Sequence, residues 1–286
     1  MNYRTIGIDI GATKTRIGVV QDAQVIKEAD FPTSSTASKQ QILDELSAGI
    51  IEVAGGDFYG IGIGVPGLVD EENGILFDLL NIPSFKEVHL KDHLERQFNK
   101  PVRVTNDANV FAMGEKMFGE GQPYKNLVGI TLGSGFGCGI IIHDQLYSGA
   151  YSSAGEIGSI PYLDGIIEDY CSGKFFKRNG ISGNEVFKGA QAGDEAALLL
   201  FEKFGEHLGS AIKLILNVLS PQAILLGGSI SKAFPFFEAS LQNTINSFPF
   251  KKVREQLIVK PSNTSNIALL GAAALILAET PKPVDY

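Results

Sequence analysis

The sequence predicts an α/β protein built twice over, with two similar lobes and a cleft between them. Three observations carry that expectation. Apolar strand patterns alternate with helix-period patterns along nearly the whole chain. Two stretches, GIDIGATKTRIGVV near the start and GITLGSGFGCGIII near the middle, repeat one plan: apolar strand, glycine turn, apolar strand. Finally, 286 residues suffice for two domains of about 100–150 residues each.

The first pass opens with a strand over Thr5–Ile10 (TIGIDI), a Gly-Ala-Thr turn, and a second strand over Thr15–Val20. A third strand, QVIKEADF, follows. Ile42, Leu46, Ile50 and Val53 recur at helical spacing, so a helix comes next, and then the strand FYGIGIGV. The second pass opens with LVGITLGS, turns through glycines, and continues as GCGIIIHD and LYSG. A long helix is marked by Ala197, Leu198, Phe201, Phe204, Leu208, Ile212, Ile215 and Leu219, a stripe read as core packing. The strand AILLGGS, a helix from about Ser231, the strand QLIVKPS and the helix IALLGAAALILAE complete the chain. The smaller domain is expected to comprise residues 1–112 with a C-terminal helix at 271–286, and the larger one 113–270.

Composition excludes several classes. With 44% hydrophobic and 20% charged residues the chain reads as a soluble globular protein. A net charge of −8 argues against a nucleic-acid partner, which wants a basic face. No apolar run approaches the roughly 20 residues of a membrane span. MNYRTIGIDI enters a strand without a basic leader, so a cytoplasmic chain is expected. The two cysteines, Cys138 and Cys171, make no disulfide framework and read as buried thiols.

Ligand chemistry is expected at the two facing turns. In ITLGSGFGCGIII, Gly133, Gly135, Gly137 and Gly139 strip side chains from one face of a strand. Glycine turns with exposed N–H groups bind phosphate oxygens, and the missing Cβ permits close approach. The bare strip is therefore read as a place for nucleotide phosphates, opposite the turn at Gly11. GIGVPG, with Gly62, Gly64 and Gly67, also fits G-x-G-x-x-G. Pro66 and the following LVDEENG read as a turn, however, with no helix to meet a pyrophosphate, so no dinucleotide site is expected.

Acids come next. Asp9 ends the first strand beside the Gly11 turn; a carboxylate among phosphate-binding amides implies a cation between them, so it reads as a Mg²⁺ partner. Lys14 is either a phosphate contact or a solvated turn lysine. In VRVTNDANVFAMGEKMFG, a strand gives way to Asn106-Asp107-Ala108-Asn109 and then a helix. Helix capping accounts for one such residue. Asp107, at a strand end facing a cleft, also suits the abstraction of a hydroxyl proton. Glu156, among glycines, suits hydrogen bonds to paired sugar hydroxyls, whereas Glu168 either binds there too or stabilises a first helical turn.

In order, the blocks DIGATKTRIGVV, GIGVPGLVD, NDANVFAMGE, TLGSGFGCGIII, AGEIGSI and LLGGSI resemble the ROK family of bacterial sugar kinases, related to glucokinases, over nearly the whole chain. The resemblance implies an actin-like ATPase (ribonuclease-H-like) fold, a homodimer, and ATP-dependent phosphorylation of a hexose at the 6-hydroxyl. Carried over, Asp107 is the general base. Asn81, Asn106, Glu156, Glu168 and Gly67 bind the sugar. Asp9, Gly11, Thr13, Lys14, Thr131, Gly133, Ser134 and Gly135 serve MgATP, with Gly227 and Gly228 near the adenosine.

One departure stands out. Many members follow Glu-Ile-Gly with a histidine and then a cysteine cluster that bind zinc. Here Ser159 takes the histidine position, and Pro161–Ile167 contains no cysteine, so no zinc site is expected. The four histidines, His89, His93, His143 and His207, read as surface or core residues, although His89 and His93 have helical i, i+4 spacing. Members resembling β-glucoside kinases also lack that histidine; the retained Glu168 places free glucose or an N-acetylhexosamine ahead of a β-glucoside. Family repressors carry a DNA-binding segment of roughly 70 residues ahead of the first strand. Only four residues precede Thr5 here, so a repressor, or a non-catalytic sugar sensor, ranks behind the kinase.

Overall fold

In a computed structural model, residues 3–11, 13–79 and 82–278 are described. Two units emerge: Met1–Gln122 with Leu146–Ala154 and Thr264–Tyr286, and Pro123–Gln145 with Gly155–Asn263. The sequence-based boundaries at 112 and 270 differ from these. The helix that starts at Asp107 runs on to Phe118, and the helix Ile267–Leu277 packs along it, so both stay whole in the first unit.

The first unit is built from β1 (Thr5–Ile10), β2 (Lys14–Gln21), β3 (Gln24–Pro32), α1 (Lys39–Ala54), β4 (Ile61–Val65), β5 (Leu68–Asp70), β6 (Ile75–Phe77), β7 (Glu87–His89), α2 (Leu90–Phe98), β8 (Val102–Asn106) and α3 (Asp107–Phe118). Its main sheet has the order β3-β2-β1-β4-β8. β1 runs antiparallel to β2 and parallel to β4, which is parallel to β8. The second unit supplies β9 (Leu127–Leu132), β10 (Phe136–Ile142), β11 (Gln145–Leu146), β12 (Pro161–Tyr162), β13 (Gly165–Ile166), α4 (Ile167–Cys171), α5 (Gly173–Arg178), α6 (Gly183–Gln191), α7 (Glu195–Val218), β14 (Ala223–Gly227), α8 (Phe234–Asn246), α9 (Lys251–Gln256) and β15 (Ile258–Pro261). Its sheet, β11-β10-β9-β14-β15, repeats the plan: an antiparallel hairpin, then two parallel strands. The chain then returns to the first unit as α10 (Ile267–Leu277).

Local chemistry explains the main elements. Ser38 caps α1 in a reciprocal capping box with Gln41, and Gly55 ends the helix at φ 56°. Between these stops Ile42, Leu46, Ile50 and Val53 face the core. Asp194 starts α7 by accepting the Ala197 N–H at 3.1 Å, and Phe201, Phe204, Leu208, Ile212 and Ile215 are buried along one stripe. Leu198, counted in that stripe from sequence, is 36% exposed, because it lies one residue round from the buried Ala197.

Glycine spacing in β1 and β4 has a packing cause. A Cβ on Gly7 would lie 2.1 Å from the Leu269 carbonyl oxygen, and one on Gly62 would lie 1.8 Å from that of Ala272. The α10 backbone therefore rests directly on the sheet, which only glycine allows. A Cβ on Gly64 would lie 2.9 Å from the Val110 side chain of α3, so helix packing explains the G-x-G in GIGVPG without a nucleotide.

Other expectations shift. Of LYSG, only Leu146 lies in a strand, the last residue of β11. The segment after β14 begins as a 3₁₀ turn, Ile230–Ala233, and α8 proper starts at Phe234. His89 ends β7 and pairs with Glu87 at 3.1 Å, so it does not share a helix face with His93.

Candidate functional site

In the first unit, the candidate residues gather at the C-terminal edge of the parallel strands. Register places Asp9 beside Gly64 and Gly64 beside Thr105, so Asp9 and the Asn106-Asp107 corner stand two strands apart along one edge. That edge is where open α/β sheets bind ligands. Asn106 caps α3: its Oδ1 accepts the Ala108 N–H at 2.9 Å, while its Nδ2 donates to the Gly67 carbonyl at 3.2 Å. Gly67, at φ 91°, is thereby tied to the same corner. Asp107 occupies the first helical position, half-buried, with Oδ1 accepting the Ala108 N–H at 2.8 Å. Its side chain is not turned into the core.

Burial pushes the Asp9 carboxyl above the usual carboxylate range, and Arg16 only partly offsets this. The Arg16 guanidinium is shared with Glu28 at 3.0 Å and Asn266 at 2.6 Å. An under-compensated carboxylate at a strand end fits a hard divalent cation. In the turn between β1 and β2, the Gly11 N–H donates to the Lys14 carbonyl at 2.9 Å and the Thr33 hydroxyl to the Gly11 carbonyl at 2.9 Å. The Thr13 carbonyl accepts the Thr33 N–H at 3.1 Å. Lys14 extends along β2 to pair with Asp30 at 2.6 Å. Asn81 lies outside the described residues.

In the second unit, Thr131 at the end of β9 is in register with Gly227 at the end of β14. Gly228 follows at φ 82°, where a Cβ would lie 2.2 Å from the Leu132 carbonyl oxygen. The turn Gly133-Ser134-Gly135 joins β9 to β10. Within it the Gly133 N–H donates to the Gly135 carbonyl at 3.1 Å, and the Gly133 carbonyl accepts the Gly173 N–H at 2.7 Å. Glu168 braces this turn: Oε2 accepts the Phe136 N–H at 3.0 Å, and Oε1 pairs with Lys174 at 2.6 Å. Lys174 is held above its ordinary pKa by that hydrogen bond to Glu168.

The bare glycine strip thus has more than one neighbour. A Cβ on Gly135 would lie 2.8 Å from the Glu168 carboxylate. Beyond it, the 155–159 segment lies on β10, with Gly158 against the Phe136 carbonyl and Gly155 against that of Cys138. At Gly133 a Cβ would meet nothing within 4 Å among the described residues. Gly133 is therefore the open position of the strip, while Glu168 covers Gly135 and the 155–159 segment meets the strand at residues 136 and 138.

Glu156 opens the 3₁₀ turn Glu156–Ser159, and Ser159 donates back to its carbonyl at 2.7 Å. Burial raises the Glu156 pKa, and the Glu168 charge raises it further. Cys138 is buried, and its thiol is pushed up to about 12 by burial with a contribution from Glu156; burial also pushes the Cys171 thiol up. The short 161–166 hairpin, which contains no cysteine, is held by Arg178. Its guanidinium reaches both Asp164 oxygens, at 3.0 and 3.1 Å, and stacks on Tyr170 at 4.7 Å.

Sequence reasoning missed Glu71 and Lys174. Glu71, in the stretch read only as a turn, accepts hydroxyls from Thr105, Ser148 and Ser152. No local pattern signals it, because its partners lie 34, 77 and 81 residues away.

Comparison with known proteins agrees with this architecture. The ROK family model matches residues 5–279. The chain belongs to the ROK family. It is 28% identical to a glucokinase of Thermotoga maritima over 96% of this chain and 97% of that protein. It is 27% identical to a xylose repressor of Bacillus subtilis over 96% of this chain and 77% of the repressor. Among solved structures, a ROK family glucokinase of Streptomyces griseus in complex with glucose and AMPPNP aligns at a TM-score of 0.82 with 28% identity, covering 95% of this chain and 98% of that one. The fold is the duplicated, actin-like α/β architecture expected from the sequence. Among the described residues, no helix is long and apolar enough to cross a membrane.

Proposed function

We propose that this protein is an ATP-dependent sugar kinase that transfers the γ-phosphoryl group to a hexose hydroxyl, with Asp107 as general base. The observation that carries the reading is the corner at Asn106-Asp107. A half-buried carboxylate stands at the ligand-binding edge of the sheet, held by a helix cap, along the same edge as the under-compensated Asp9. The similarity to a glucokinase supports the substrate class.

In this mechanism the sugar hydroxyl oxygen bonds to the γ-phosphorus, the bond from that phosphorus to the ADP oxygen breaks, and the hydroxyl proton passes to Asp107. Asp107 orients the hydroxyl and accepts its proton late, since phosphoryl transfer relies chiefly on positioning and charge compensation. Asn106, Gly67, Asn81, Glu156 and Glu168 are assigned to the sugar. Glu156 is the stronger candidate of the two acids, because both Glu168 oxygens already have partners. The Gly133–Gly135 and Gly11–Lys14 turns, with Thr131, are assigned to the phosphates, and Gly227-Gly228 to the adenosine. Mg²⁺ held near Asp9 would neutralise phosphate charge. Glucose or an N-acetylhexosamine is the proposed acceptor, with β-glucosides the alternative, and the active form is proposed to be a cytoplasmic homodimer.

ADP release with ATP, Mg²⁺ and a panel of glucose, N-acetylhexosamines and β-glucosides tests this. Wild type should turn over at least one sugar, and Asp107→Asn should lose about 10²–10⁴-fold in kcat. A second reading, sugar sensing without transfer, is favoured by the similarity to a xylose repressor. Calorimetric sugar binding by wild type without any ADP release would establish it instead.

A further inference from the structure

We propose that Glu71 is a positioning residue that clasps the Asp107 corner to the segment Leu146–Ala154. This rests on the kinase reading for its catalytic half. The Glu71 carboxylate accepts three hydroxyl hydrogen bonds. Thr105 and Ser152 donate to Oε1, the latter at 2.8 Å, and Ser148 donates to Oε2 at 2.7 Å. Thr105 in turn accepts the Asn109 side-chain N–H at 3.1 Å. Thr105 is the last strand residue before the Asn106 cap, and Asn109 lies in the first turn of α3. The two therefore bracket Asp107, and their side chains are joined through an oxygen that Glu71 fixes.

Two further observations show how much depends on this clasp. Asn109 is 1% exposed, and its Oδ1 has no hydrogen-bond partner among the described residues, so its orientation rests on the bond to Thr105. On the other side, Tyr151 and Ser152 sit at φ 53° and 55°, in the left-handed region that non-glycine residues rarely adopt. Such backbone persists only where its surroundings over-determine it. Here the surroundings are Glu71, the Val69 carbonyl at 3.3 Å from the Ser152 hydroxyl, and the Phe77 ring at 5.9 Å from Tyr151. Leu146–Ala154 is also the stretch in which the chain leaves the second unit, visits the first, and goes back to reach Glu156. One carboxylate thus holds both the corner that presents the base and the stretch that leads to the sugar-binding candidate.

The test uses the full chain as Glu71→Ala, Ser148→Ala and the double variant. Displacing a reacting group by about 1 Å costs up to about 100-fold in rate. Glu71→Ala should therefore lose about 10- to 100-fold in kcat per folded molecule, with KM for ATP within about twofold of wild type. Ser148→Ala should lose less, and should add nothing in the Glu71→Ala background, since it acts through that carboxylate. Hydrogen exchange provides a readout independent of activity: amides of 105–110 and of 148–154 should lose protection together in Glu71→Ala. Loss in one segment alone, or in neither, overturns the clasp whatever the kinetics. Joint loss with unchanged kcat overturns the positioning role while leaving the kinase reading intact. If wild type releases no ADP with any sugar, the kinase reading fails, and with it the catalytic half of this proposal; exchange still decides the clasp. If Glu71→Ala does not fold, Ser148→Ala carries both measurements.

Discussion

Gly133→Ala separates a glycine required by the fold from one required by a ligand. An added Cβ there meets nothing within 4 Å among the described residues, and the φ of Gly133 lies outside the left-handed region. The folded chain therefore has room for the methyl. Restricting the unfolded chain should stabilise the variant by about 0.4–1 kcal/mol. For a chain of this size that is a rise of roughly 1–4 °C in Tm. With a triphosphate on this turn, the methyl would instead occupy the space of a phosphate oxygen. Losing one hydrogen bond to a charged group costs about 1.5–3 kcal/mol, or about 10- to 150-fold in Kd. Titration calorimetry with MgATP and a thermal melt, run on the same samples, read both quantities. Weakened ATP binding with an equal or higher Tm is the expected outcome. Unchanged ATP affinity in a folded variant would refute the assignment of this turn to phosphate. Gly155→Ala is the opposite control: its φ is 95° and its Cβ would lie 2.0 Å from the Cys138 carbonyl oxygen. It should destabilise the protein by at least about 2 kcal/mol, from backbone strain and overpacking.

Three other perturbations follow from the same geometry. Folding raises the Glu156 pKa, so the folded chain binds more protons than the unfolded one from the ordinary carboxylate range up to the raised value, and stability falls as pH climbs through that window. Glu156→Gln should therefore melt above wild type at pH 7, with the gap closing below the carboxylate range; a variant melting lower at pH 7 would contradict the burial account. Asp9 has the same sign, so Asp9→Asn should gain thermal stability without nucleotide while losing MgATP affinity by calorimetry. Gly62→Ala should cost about 1–3 kcal/mol in urea denaturation, because its Cβ would lie 1.8 Å from the Ala272 carbonyl oxygen.

Much of the local geometry around the candidate residues was legible in the sequence. The Asn106-Asp107 corner was legible because a cap and a first-turn acid are local features, set by neighbours within a few residues. The paired glycine hairpins were legible for the same reason, and each forms the antiparallel part of its sheet. Glu168 was only half legible. Its place at the start of a helix could be read, but its use as a brace for the Phe136 N–H could not, since that partner lies 32 residues away. The glycine strip misled in part: sequence shows that side chains are missing but not what fills the space, and at Gly135 the chain's own Glu168 carboxylate fills it.

The sequence by itself determined the alternation of strands and helices, the two hairpins, the caps, and the acids at the strand ends. All of these depend on chemistry within a few residues of one another. Only the tertiary structure decided which atoms cover each glycine, that α10 lies against the sheet, and that Glu71 gathers hydroxyls from Thr105, Ser148 and Ser152. Those contacts join residues tens to hundreds of positions apart, and a partner at such distance leaves no periodicity or spacing in the chain from which it could be read.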